Sequence, residues 1–431
     1  MASINLSLVL VYLCTLLLLS IPSLALSGGV VHVPLERGHS GHFKSVRHHH
    51  DIHRRQEIED DILTFNGQLW FAPFRVGNSN LNLSIDTGSA DVAINTGRYS
   101  PSYNSLKLNQ TAELRYGFNK DSPENSDIQV MLYADDVNFG GMTAKNLTIG
   151  DQYTGAIQVP GDGIVGFGGG TATNSTSFFE RLCEQGSVQE CRFGLALWDN
   201  DSGSQHLGGV DHSKFSGQLS VAAVTPIFTS FRWAVHSDIV IDGKVFFSNV
   251  RVSLDSGTTY IYGPIDQVIA IFEEIGIMPV WQDPSLESGG ATVTGYYPCD
   301  LDPQFGFRFP SQADVDISLL DSNSPVSTES ENFYLMQDAF RGDFTKPNNC
   351  TSVVLGTNLT DGVWLVGQAF FLGKYVDHNF AAKTMGFANL RPDLRVNSTA
   401  ADTTRHYSSN PLVWITVVSL GVLGASLLTS G

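Results

Sequence analysis

Apolar positions in this 431-residue chain fall into two kinds of pattern. Near each end lies one almost continuous apolar run, residues 8–20 and residues 411–428. Between them, short apolar stretches alternate with Gly, Asn and Asp turns, which reads as β strands joined by tight connections. Helical spacing is scarce. It predicts helices over Ser177–Gln185 and over Ile265–Ile275, the latter with Pro264 near its first turn, and a short third one over Phe370–Val376. A mostly β fold is expected.

The first apolar run is short for a membrane span and leads into Ser23-Leu24-Ala25, so residues 1–25 read as a secretory signal, although no positive charge precedes the run. The second has only Thr429-Ser430-Gly431 behind it, with no basic flank, and follows a polar, small-residue stretch from Asn397 to Asn410. Residues 397–431 therefore fit a Ser/Thr spacer and GPI-attachment tail, with the lipid site near Asn397–Asp402 and a retained membrane anchor as the alternative. Residues 26–56 are basic and His-rich. Arg37, Lys44, Arg47, Arg54 and Arg55 outweigh Glu36 and Asp51, and the stretch includes His48-His49-His50. Ending in Arg54-Arg55, it reads as a propeptide with a dibasic processing site. Metal binding by the His tract is the alternative, with no Cys or carboxylate constellation beside it.

Composition narrows the class. With 42% apolar and 16% charged residues the chain can bury a large interior, and its length suggests two or three domains or two lobes around a cleft. The 42 Gly and 17 Pro show no Gly-X-Y period, which excludes collagen. A net charge of −18 is the wrong sign for clinging to phosphates, so no nucleic-acid partner is expected. Beyond Cys14 in the leader, Cys183, Cys191, Cys299 and Cys350 imply two disulfides with three possible connectivities. Order along the chain favours Cys183–Cys191 and Cys299–Cys350. No CxxC pair or HExxH is present, so no metal is expected. Sequons at Asn82, Asn109, Asn146, Asn174, Asn200, Asn349, Asn358 and Asn397 agree with secretory passage. Asn82 lies in an apolar strand pattern, a poor place for a glycan.

The decisive feature is an internal repeat. Leu83-Ser84-Ile85-Asp86-Thr87-Gly88-Ser89 recurs as Val252-Ser253-Leu254-Asp255-Ser256-Gly257-Thr258. Each Asp is followed by a strand-like run, Val92-Ala93-Ile94 and Tyr260-Ile261-Tyr262. Each copy also has a later partner, Asp162-Gly163-Ile164-Val165-Gly166 and Val363-Trp364-Leu365-Val366-Gly367. Two related lobes follow, 57–222 and 223–396, meeting near Val221–Pro226, each contributing one acid.

Asp-Thr/Ser-Gly lets the chain turn sharply behind a carboxylate, with flanking hydroxyls able to donate to it or to the backbone. If two such turns face each other, their carboxyls cannot both ionise easily, so the pair holds one proton over an acidic range. Such a dyad polarises a water for attack on an amide, one carboxylate taking its proton while the other carboxyl protonates the carbonyl oxygen. No covalent enzyme intermediate is needed.

Over roughly Thr64–Leu390 the chain resembles the pepsin-like family of aspartic endopeptidases. Asp86-Thr87-Gly88-Ser89 and Asp255-Ser256-Gly257-Thr258 fit its two signatures. Ile164-Val165-Gly166 and Leu365-Val366-Gly367 fit the loops threading behind each turn. The resemblance implies a bilobal, mostly β fold with a cleft between related lobes, acting as a monomer without cofactor on protein or peptide substrates. It implies Asp86 and Asp255 as the dyad, with Ser89, Thr258, Gly88 and Gly257 orienting the carboxylates and Thr87 and Ser256 clasping the lobes. Cys299–Cys350 is similar to the family's C-lobe disulfide. Tyr116-Gly117 matches the flap. The match then departs, with Phe118-Asn119-Lys120 replacing the usual Thr-Gly-Ser, an acidic insertion through Asp127, and Ala93 where the family often has a Trp holding the flap Tyr.

Gly161-Asp162-Gly163-Ile164-Val165-Gly166 satisfies GxGxxG but opens no βαβ unit, and neither GxSxG nor a P-loop occurs. The acidic stretches Asp121–Asp136 and Glu57–Asp61 read as solvated loop charge. Near a cleft they would favour Lys or Arg in a substrate, as in the yapsins, the GPI-linked fungal members that this layout resembles. Two functions remain: an acid endopeptidase tethered at the cell surface, and a catalytically silent binding or wall protein of the same shape. The basic strip further suggests a zymogen, neutralising an acidic cleft until falling pH protonates the carboxylates that hold it.

Overall fold

The computed structural model describes residues 31–39, 68–116, 127–155, 159, 161–169, 173, 175–198, 202–225, 233–281, 291–309, 326–327, 331–336, 341–346, 349–358 and 362–394. The leader, the dibasic site, Gly117, the flap departure at 118–120 and the C-terminal tail lie outside these residues. Strands dominate, arranged in a 14-stranded and an 11-stranded sheet among the described residues.

The repeat becomes the same piece of topology built twice. In the larger sheet, Ser79–Asp86 runs parallel to Gly163–Gly166, with Asp86 opposite Gly166, and Val92–Ile94 lies antiparallel on the far side of that short strand. In the smaller sheet, Lys244–Leu254 runs parallel to Val363–Val366, which Ile261–Pro264 flanks antiparallel. These short inner strands are buried on both faces, as their unbroken apolar sequence requires. Gly161–Gly166 therefore supports the turn before it.

The larger sheet takes strands from both halves of the chain. Arg192–Leu197 pairs with Lys374–Asn379, which pairs with Thr384–Asn389, which pairs with Leu219–Ala223. Arg192 and Asp377 cross this junction as a buried two-pronged ion pair, Nε to Oδ1 at 3.0 Å and Nη2 to Oδ2 at 2.7 Å. Val31–His39, within the basic strip, is an interior strand of the same sheet, between Ser202–Leu207 and Gln68–Val76.

Two of the expected helices form as read. Phe178–Glu184 buries Phe178, Phe179 and Leu182, and Ile265–Ile275 buries Val268, Ile271 and Phe272 before Gly276 closes it at φ 74°. The third does not. The helix spans Gln368–Phe371 and stops, Gly373 turns the chain at φ 75°, and Lys374–Asn379 is a strand. A segment bonded along both edges and buried on both faces shows no period that separates strand from helix. The acidic stretch Asp121–Asp136 also needs correction at its end. Asp135 is buried, accepting bonds from the Tyr99 hydroxyl (2.7 Å), the Ser102 amide (2.9 Å) and the Asp136 amide (2.8 Å). Cys183–Cys191 and Cys299–Cys350 are both bonded, the first tying the Phe178 helix to the start of Arg192–Leu197.

Candidate active site

Each strand–turn unit delivers one carboxylate to the junction between the halves. Asp86 ends its strand, and the Gly88 amide donates to Oδ1 at 2.8 Å while the Ser89 hydroxyl donates to Oδ2 at 2.6 Å. Around Asp255 the Gly257 amide donates to Oδ1 at 2.8 Å and the Thr258 hydroxyl to Oδ2 at 2.7 Å. Ser89 and Thr258, with Gly88 and Gly257, thus each donate one bond to a carboxylate.

Thr87 and Ser256 interlock the two turns. The Thr87 amide donates to Ser256 Oγ (3.1 Å), and that hydroxyl donates to the Ile85 carbonyl (2.9 Å). Reciprocally, the Ser256 amide donates to Thr87 Oγ1 (2.9 Å), whose hydroxyl reaches the Leu254 carbonyl (3.2 Å). Both residues are buried, so none of these four bonds competes with bulk water.

The interlock sets the carboxyls against each other. A methyl added at Gly257 would sit 3.1 Å from Asp255 Oδ1 and closer still to Asp86 Oδ1, while one at Gly88 would fall on the Asp255 carboxyl. Only glycine leaves room for this approach. Asp86 and Asp255 are 1% and 0% exposed. Burial, then the Asp86 charge and hydrogen bonding with that acid, push Asp255 well above the ordinary carboxylate range, against the lowering effect of its Thr258 and Gly257 donors.

The elements behind the turns hold them rigid. The Phe167 amide donates to the Asp86 carbonyl (2.7 Å), and the Phe167 carbonyl takes the indole N–H of Trp233 (3.0 Å) from the other half. In the second unit the Asp255 amide donates to the Val366 carbonyl (3.0 Å), and Gln368 Nε2 donates to the Ser256 carbonyl (2.6 Å). Sequence reading did not single out Trp233 or Gln368. Gln368 directly follows the second loop motif, which is the one local signal it offered; Trp233 offered none.

Tyr116 directly follows the strand Leu106–Arg115, whose last residue pairs with Asp127 at the start of Asp127–Phe139. It is buried beside the site. Desolvation, then the charges of Asp91 and Asp86, raise its phenol well above the ordinary tyrosine value, so it stays a protonated donor. Ala93 packs in the same apolar cluster as Tyr116.

Two interlocked turns presenting paired, buried carboxyls define an aspartic hydrolase site. The chain belongs to the eukaryotic aspartyl protease family, whose model matches residues 70–390. It is similar to secreted aspartyl protease 1 of Malassezia globosa, 29% identical over 76% of this chain and 75% of that protein. It is likewise similar to an aspartic protease of Phaffia rhodozyma, 25% identical over 78% of this chain and 80% of that one, and to candidapepsin-3 of Candida albicans, 27% identical over 65% and 73%.

Proposed function

We propose that the protein is an endopeptidase that hydrolyses peptide bonds at acidic pH, using a water activated between Asp86 and Asp255. The observation that carries this is the close approach of two buried carboxyls, each with a matched pair of donors. With its affinity for protons raised, Asp255 is the group that holds one and gives it to the scissile carbonyl, while Asp86 takes the proton of the attacking water. Atoms balance: the water hydroxyl joins the carbonyl carbon, its proton goes to Asp86, and collapse of the tetrahedral intermediate returns a proton to the leaving amine. The intact donors around both acids favour this over a silent binding protein. The test is cleavage of a denatured protein at about pH 4, with and without a statine inhibitor, by wild type and Asp86→Asn. Equal cleavage by both would overturn it.

The finer reading is a secreted enzyme with a signal over 1–25, a propeptide over 26–56, lobes over 57–222 and 223–396, and a lipid-attached C-terminus. The Malassezia relative named above is a secreted aspartyl protease, which supports the route. Exposed Asn109, Asn146 and Asn358 suit glycans better than half-buried Asn82. Mass spectrometry of the mature protein checks termini, lipid and glycans together. Among the described residues, no helix is long and apolar enough to cross a membrane. The interior position of Val31–His39 supports a propeptide that is part of the folded zymogen. A secreted form retaining residues 27–56 and fully active at neutral pH would contradict that role.

A further inference from the structure

Trp233 is 1% exposed and belongs to the second half of the chain, yet it bonds into both strand–turn units. Its indole N–H donates to the Phe167 carbonyl at 3.0 Å, and the Phe167 amide donates to the Asp86 carbonyl at 2.7 Å. Its own backbone carbonyl accepts the Leu254 amide at 2.9 Å, one residue before Asp255. The Leu254 carbonyl in turn takes the Thr87 hydroxyl at 3.2 Å. Thr87 is covalently joined to Asp86. These four bonds therefore close a ring that leaves Trp233 by its side chain and returns to it by its backbone. The interlock reaches the turns through Thr87 and Ser256; the ring adds anchors at the Asp86 carbonyl and the Leu254 amide.

The indole is held in one plane. The rings of Phe380, His378 and Phe193 cross it at 90°, 79° and 87°, with centroids 4.8, 4.9 and 6.0 Å away. Phe193 comes from the first half, so this cage also spans the junction. Burial pulls the His378 imidazole down to about 3, so the cage carries no charge at about pH 4. Phe167 is fully buried, and bulk water does not replace a lost indole donor at its carbonyl.

We propose that Trp233 is a positioning residue for the reaction: by closing this ring across the two halves, it sets the separation of the Asp86 and Asp255 carboxyls. Trp233 acts through Phe167 and Leu254. The inference rests on the protease reading of the site. It makes a specific demand on the pH profile. The charge of Asp86 raises the proton affinity of Asp255, and that effect weakens with distance. The other groups acting on Asp255, the Thr258 hydroxyl and the Gly257 amide, are uncharged. With the ring opened at the indole the carboxyls part, and Asp255 gives up its proton at lower pH.

The experiment compares Trp233→Phe, which keeps an aromatic ring but loses the N–H, with Ile271→Ala, a core change in the helix Ile265–Ile275. For each, kcat and KM on a peptide substrate are followed across pH, with melting temperatures. Trp233→Phe should lower kcat about tenfold, keep KM within about twofold, and move the alkaline limb of kcat down by roughly half a pH unit. Ile271→Ala should lower the melting temperature and leave the limb in place. If Trp233→Phe does not fold, benzothienylalanine at position 233 takes its place, keeping the bicyclic shape with sulfur for the N–H. A limb that stays put in the variant lacking the N–H, or one that Ile271→Ala moves equally, would overturn the proposal. Full activity in Asp86→Asn, run alongside, would instead strike the protease reading itself.

Discussion

Around Asp86 and Asp255 the same bonds recur: a glycine amide to one carboxylate oxygen, a hydroxyl to the other, and a reciprocal hydroxyl link to the opposite turn. What surrounds them differs. Thr258 is fully buried, whereas Ser89 is only half-buried. Behind Asp255 comes Gln368, bonded to the turn through its side chain as well as its backbone; behind Asp86 comes Phe167, bonded through its backbone, with Tyr116 nearby. Two turns of matching wiring thus sit in unlike environments, and burial leads the causes that raise the proton affinity of Asp255.

The harshest way to break this comparison is to neutralise each acid in turn. Asp86→Asn and Asp255→Asn should each lower kcat by about a thousandfold or more, because one loses the base and the other the acid. A residual rate near wild type in either would mean that a single carboxyl suffices. Next come the glycines. Gly88→Ala and Gly257→Ala push a methyl onto the opposite acid, and each should reduce kcat/KM about a hundredfold with roughly 1–3 kcal/mol lost in denaturant unfolding. Unequal losses would locate the tighter side of the junction.

Linkage sharpens the comparison further. Asp255 has its folded proton affinity raised above the unfolded value of 3.8, so its contribution is fully present below that pH and is lost as pH rises through the raised folded value. Melting temperature should therefore fall toward neutral pH, and Asp255→Asn should flatten that fall. The smallest effect concerns the hydroxyl donors. Thr258 lowers the affinity of Asp255 for its proton, so Thr258→Ala should move the alkaline limb of the kcat profile upward by about one pH unit or less. Ser89→Ala, acting on the other acid, should leave that limb in place.

Much of this site was legible because its chemistry is local and duplicated. Asp86, Thr87, Gly88 and Ser89 carry their wiring within four consecutive residues, and the second copy at Asp255 identified the pair. The helices at Phe178 and Ile265 were legible because one face of each is solvated, leaving a period to read. Lys374–Asn379 was not, since a strand buried on all sides has no solvated face. Trp233 escaped notice for another reason. It acts through one side-chain bond to a residue far away in sequence, Phe167, and nothing beside it in the chain announces it.

The four strands, two from each half of the chain, with Arg192 and Asp377 locked between the first two, form a floor common to both halves. Melting one half would strip partners from strands of the other and strand a buried guanidinium without its counter-ion, so heat should take the described body apart in one cooperative step. Neither half has a floor of its own to stand on.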